Sequence, residues 1–137
     1  MAQYTIDAGT FARNAIQAIH AGEVAFLDKG ASGHSCRYYY PDTGKRCIIG
    51  AGLPIDQAIA LDKAGHTGIG GLLRDRVLVV TSDYCEPEAL RATLCDLQMR
   101  HDMEMNPSRT EAERLESKIY MLTELELLAD LHPEPAE

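Results

Sequence analysis

Two long helices joined by a sharp break constrain this chain more than any other feature. Glu86-Pro87-Glu88 opens the first, with proline at an early position and acids at the positive end of the helix dipole. Leu90, Leu94, Leu97 and His101 follow at i, i+4, i+7 and i+11, which is one apolar stripe. Asn106-Pro107 ends it. Ser108-Arg109-Thr110-Glu111 has the pattern of a capping box, so a second helix is predicted to start there and to run about 20 residues, to near Asp130. Leu115, Ile119, Leu122 and Leu125 are its predicted inward face. So short a connection makes the two helices an antiparallel pair.

The first half is less regular. Thr10–His20 reads as a helix that buries Phe11, Ala15, Ala18 and Ile19 and stops at Gly22. Its N-cap is left open between Thr10, Gly9 and Asp7. Cys36-Arg37-Tyr38-Tyr39-Tyr40 and Lys45-Arg46-Cys47-Ile48-Ile49 flank Pro41-Asp42-Thr43-Gly44, which predicts a β-hairpin. Pairing Tyr40 with Lys45 puts Cys36 and Cys47 on one face. Arg37, Tyr39, Arg46 and Ile48 then share the other. Residues 55–62 read as a short helix. Residues 76–80 read as either a third strand or a buried helical end. The expectation is one α+β domain over 1–137, a short antiparallel sheet built on the hairpin and packed by three or more helices. Pro133 and Pro135 leave 131–137 as a frayed acidic tail.

Charge narrows the function class. The net charge of −8 on 137 residues argues against a direct nucleic-acid binder, which needs a basic surface. Residues 1–110 are nearly balanced. The rest of the chain holds eight acids against Arg114 and Lys118. Glu124, Glu126 and Asp130 fall near the end of the last helix, where the dipole favours cations, at a cost of a few tenths of a kcal/mol each. An acidic surface kept against its own dipole suggests a basic partner. No apolar run approaches a membrane span, and the N-terminus lacks the basic and apolar regions of a signal peptide, so a cytoplasmic protein is expected.

Candidate chemistry is sparse. Cys36 and Cys47, with His34 or His66, lack the short spacing of structural zinc and read as buried thiols. His101-Asp102 has the residue types of a metal phosphohydrolase pair. However, His101 also extends the leucine stripe, which reads as a half-buried structural histidine. The glycines at 65, 68, 70 and 71 lack the lysine and spacing of a phosphate loop. Tyr38–Tyr40 beside Arg37 and Arg46 form an aromatic–basic patch suited to a protein interface, with at least one tyrosine in the core. No cofactor and no metal site is expected.

Several of these residues carry a resemblance. Cys36-Arg37-Tyr38, Gly44-Lys45-Arg46-Cys47-Ile48-Ile49-Gly50, Leu53-Pro54 and Leu94–Asp102 resemble a family of small phage and prophage proteins. Its members carry Cys-x-Tyr, a turn, Gly-x-Lys/Arg-Cys-x-Ile-Gly, Leu/Ile-Pro and a downstream Leu-Gln-x-x-His-Asp. The likeness covers about half of the chain and implies a viral or mobile-element protein acting in a bacterial cytoplasm. It implies no catalytic residue. The expected function is therefore a non-enzymatic protein that binds and blocks a host complex with a basic, nucleic-acid-binding surface, such as a CRISPR or other defence component. Glu113, Glu116, Glu124, Glu126 and Asp130 would make the contact, with Arg37, Tyr39 and Arg46 as a second patch. The alternatives are a small metal- or Cys-dependent enzyme using His101/Asp102 or Cys36/Cys47, and a regulatory or assembly subunit that self-associates, as a dimer for instance, through Leu125, Leu127, Leu128 and Leu131.

Overall fold

The computed structural model describes residues 3–27, 37–64 and 68–134. Their order is β1 (Tyr4–Asp7), α1 (Ala8–His20), α2 (Ile48–Gly52), α3 (Ile55–Lys63), α4 (Ile69–Arg74), β2 (Leu78–Thr81), α5 (Pro87–Glu104) and α6 (Glu111–Leu131). The architecture is mostly helical, which corrects the predicted antiparallel α+β fold. The sheet among the described residues has two strands, and they are parallel, with Tyr4 opposite Leu78 and Asp7 opposite Thr81. No helix among the described residues is long and apolar enough to cross a membrane.

The predicted hairpin keeps its turn and loses its strands. Tyr40 N–H donates to Lys45 O at 2.8 Å and Gly44 takes φ 72°, as the turn requires. Beyond that point the returning arm keeps one bond to the first arm, Cys47 N–H to Arg37 O at 3.1 Å, and otherwise finds other partners. Arg46 forms a parallel bridge with Val24, donating to Glu23 O and accepting from Ala25 N–H. Cys47 then becomes the N-cap of α2, its Sγ accepting from Gly50 N–H at 3.4 Å. Burial explains the switch. In a two-stranded hairpin, alternation sends Ile48 and Ile49 to opposite faces, so one of them meets water. In α2 both are fully buried, together with Gly50, Ala51 and Gly52. β-Propensity is weak enough for this burial to override it.

Two glycines let α2 sit at the centre. A Cβ on Gly50 would overlap the Tyr38 carbonyl, and one on Gly52 would overlap the Phe11 ring of α1. The helix therefore approaches backbone on one side and an aromatic face on the other, closer than any side chain permits. Ile48, Ile49 and Leu53 join Phe11, Leu72, Leu94, Leu97 and Met121 in one core.

α1 begins where Asp7, the last residue of β1, accepts from Gly9 and Thr10 N–H; it ends before Gly22 at φ 74°. α5 and α6 lie side by side, and α6 also packs along α1. The α6 capping box is Thr110 with Glu113, two residues later than the pattern suggested. Its inward face is rotated as well. Ser117, Met121, Leu125 and Leu128 are buried, whereas Leu115 and Ile119 are more than half exposed. The face differs from the predicted stripe because α6 is held by two helices, α1 and α5, and not by α5 alone.

The chain also does not fray at 131. His132 is 3% exposed and is tied on three sides. Its Nδ1 meets Leu128 O at 2.8 Å, its Nε2 meets Ser82 Oγ at 2.5 Å, and its own carbonyl accepts from Arg13 at 2.6 Å. Gly9 leaves room for it: a Cβ there would stand 2.6 Å from His132 Cβ. The end of α6 is thus locked to α1 and to the loop after β2. Residues 135–137 lie outside the described residues.

Candidate functional site

The residues singled out by sequence divide into a buried set and an outward set. His101 belongs to the first. It is fully buried, not half-buried, with Nε2–H donating to Ala25 O at 2.7 Å and the ring tilted against Phe26. No described residue partners its Nδ1. Burial pushes the imidazole down to about 4, the Ala25 bond opposing the shift. At neutral pH it is an uncharged tie between α5 and the segment after α1. Asp102 is exposed, its carboxyl raised by partial desolvation. The two side chains thus differ in burial.

That tie has a pH signature. The folded imidazole resists protonation and the unfolded one does not, so acid favours the unfolded chain. The stability is fully present above about pH 6.5 and falls by about 3 kcal/mol as pH drops to about 4. Glu113 is shifted down and adds loss in the same direction, while the raised Asp102 opposes it. Urea unfolding midpoints at several pH values check this, with His101→Gln expected to remove most of the slope between pH 6.5 and 4.

Other residues singled out by their sequence pattern also have structural roles. Gln98 Oε1 accepts from Ile69 N–H at 2.7 Å and so caps α4 from α5. Cys47 caps α2, and Gly50 seats α2 on Tyr38. Cys36, His34 and His66 lie outside the described residues. The predicted face shared by Cys36 and Cys47, and the zinc set drawn from them, therefore lie outside them too. Among the described residues no three His, Cys, Asp or Glu side chains converge as a metal site.

The aromatic–basic patch does not assemble as the hairpin implied. Arg46 is buried, with its guanidinium 3.4 Å from Glu23. Arg37 reaches Asp62 of α3 through two bonds, at 2.5 and 3.3 Å. Tyr38 fills the core, and Tyr39 and Tyr40 are half-buried. The sheet face that would have aligned Arg37, Tyr39 and Arg46 is absent, and Ile48, meant to share it, is in α2.

Ser82 and His132 form a pair that no motif announced, because they are 50 residues apart. A serine hydroxyl on a histidine nitrogen, with the other nitrogen held by a carbonyl, has the outline of a nucleophile and its base. Here the serine oxygen also accepts from Tyr84 N–H at 3.0 Å and Cys85 N–H at 2.8 Å. Both of its lone pairs are occupied, so it serves the turn and the α6 lock.

The outward set lies on α6. Leu115, Ile119, Glu126 and Asp130 follow one another at helical spacing along one line of the helix. Glu116, Leu127 and Leu131 make a second line beside it. All seven are exposed. The two cations of α6 turn elsewhere: Arg114 donates to Arg109 O at 2.5 Å, and Lys118 lies 3.6 Å from buried Glu104. Glu113 is consumed by the cap, accepting from Thr110 N–H at 2.9 Å, which holds its carboxyl below the usual range. Glu124 is half-buried. Of the five acids expected to make the contact, Glu116, Glu126 and Asp130 are thus fully presented, and they are interleaved with Leu115 and Ile119, expected inside, and with Leu127 and Leu131. At 21 residues the surface is about 30 Å long. No protein-family model, curated protein or solved structure matches this chain.

Proposed function

We propose that this is a non-enzymatic binding protein whose α6 outer face docks on a basic surface of a partner protein, of the kind that handles nucleic acid. One observation supports the reading above the others. On the outer face of α6 the exposed carboxylates Glu116, Glu126 and Asp130 alternate with four exposed aliphatic side chains, while both basic residues of the helix are turned to intramolecular partners. Carboxylates opposite a Lys/Arg groove supply steering and register, and the leucines supply area to remove from water. The phage resemblance makes a host complex, such as a defence nuclease, the class of partner, and occupying its groove would block nucleic acid from entering. Self-association through Leu125, Leu127, Leu128 and Leu131 is supported less, because Leu125 and Leu128 are already in the core.

The test is capture from bacterial lysate on immobilised protein, followed by elution with a nucleic-acid duplex. The expected result is a partner that duplex displaces and that the triple variant Glu116→Lys, Glu126→Lys, Asp130→Lys fails to retain, with its circular dichroism unchanged. Equal retention by the folded triple variant would sink the proposal.

A further inference from the structure

A cleft of about 180 Å³ lies where the end of α4, β2 and the first turns of α5 meet. β2 supplies Leu78 and Val80, α5 supplies Leu90 and Arg91, and α4 with the turn after it supplies Leu73 and Arg76. Leu78 and Leu90 are buried and close the floor, while Leu73 and Val80 are half-buried at the sides. The cleft is therefore a dead end, with room for a small molecule and none for a further strand. Arg76 and Arg91 are exposed at its mouth.

Charge sets this cleft apart from the rest of the molecule. The chain holds 21 Asp and Glu against 13 Lys and Arg, yet no acidic side chain among the described residues lines it. Neither guanidinium has an ion-pair or hydrogen-bond partner among the described residues. Arg76 is placed by the turn that ends α4: its N–H donates to Leu73 O at 3.2 Å, and Val77 N–H donates to Leu72 O at 3.0 Å. Its φ of 58° belongs to that turn, a position that glycine usually fills. The helix cap thus fixes the backbone from which this cation leaves.

We infer that this cleft binds a small carboxylic acid whose apolar body is about the size of one ring. An apolar cavity of about 150 Å³ takes a benzene ring, so the volume suits such a body. Leu73 and Val80 give it apolar surface to cover. The planar fork of a guanidinium matches a carboxylate, and two of them at the mouth favour that anion over a neutral group of the same shape. The site shares no residue with the α6 surface, so either reading can fail alone.

Titration of the whole protein with benzoate, followed by NMR of its methyl groups, tests the inference. Saturable shifts of the Leu73 and Val80 methyl resonances are expected, with a midpoint near or below about 1 mM for so small a ligand. Benzyl alcohol, of the same size but neutral, should bind about tenfold more weakly. Arg91→Gln should weaken benzoate binding by about fivefold or more, as expected for losing a charge-assisted contact. Arg76→Gly should weaken it as well while raising the melting temperature, because glycine suits the left-handed cap; that separates lost binding from lost fold. The inference is overturned by no saturation up to about 10 mM, by equal binding of benzyl alcohol, by indifference to both arginine substitutions, or by shifts confined to residues away from the cleft. It is also overturned if a peptide ending in a phenylalanine carboxylate binds where benzoate does not, which would make the occupant the chain end of a partner protein.

Discussion

Gly50→Ala is expected to leave the protein largely unfolded, although alanine is the better helix former. The new methyl group would overlap the Tyr38 carbonyl, and Tyr38 is itself in the core. A flexible side chain can swing aside, but a buried carbonyl moves only with its backbone. Overpacking of this kind costs about 1–3 kcal/mol and more where nothing can yield. The loss comes out of a total stability of about 5–15 kcal/mol. Gly52→Ala strikes the Phe11 ring, which is fully buried between α1 and α2 and has nowhere to rotate. Chemical denaturation checks both. The control is Gly70→Ala, where a Cβ meets only ordinary contact with Cys95 at 3.8 Å; it should be neutral or mildly stabilising.

Lys118→Met is expected to destabilise the protein by up to about 3–5 kcal/mol, the range for breaking a buried pair from one side. Glu104 closes α5 with no exposed surface. Its Oε1 accepts from Leu27 N–H at 2.9 Å, and Lys118 Nζ stands 3.6 Å from Oε2 and 5.1 Å above the Phe26 ring. Removing the ammonium takes one cationic contact from a fully buried carboxylate. Glu104→Gln in the same protein should recover part of the loss, since the amide oxygen still accepts from Leu27 N–H and no longer carries a buried charge. A double-mutant cycle by urea unfolding reads the coupling directly. Additive losses would show that the pair is not a unit.

The long helices were legible because their signals are local. The α5 stripe of Leu90, Leu94, Leu97 and His101 is buried as its spacing predicts, and Glu86-Pro87 starts it. Asp7, one of three caps considered for α1, is the one used. The acidic end of α6 is where the sequence placed it, with no basic residue in the last turn. The errors arose where a neighbour distant in sequence chose between local options. Arg46 was claimed by Glu23–Ala25 and not by its own hairpin. α6 turned its Met121–Leu128 face inward because α1 as well as α5 covers it, which left Leu115 and Ile119 in solvent. β1 has no signal in the sequence, since four residues have little periodicity and their partner strand lies more than 70 positions away.

The sequence by itself determined which two long segments of the C-terminal half are helical, where they start and stop to within about two residues, and on which helix the negative charge collects. Capping, proline breaks and i, i+4 spacing act within a few residues and need no partner to be read. Only the tertiary structure decided which side of α6 faces water, whether Cys47-Ile48-Ile49 is strand or helix, and that Ser82 meets His132. Those outcomes follow from burying apolar surface against whatever packs beside it. That term sums over all neighbours, exceeds the propensity differences among residue types, and depends on contacts that a linear reading does not contain.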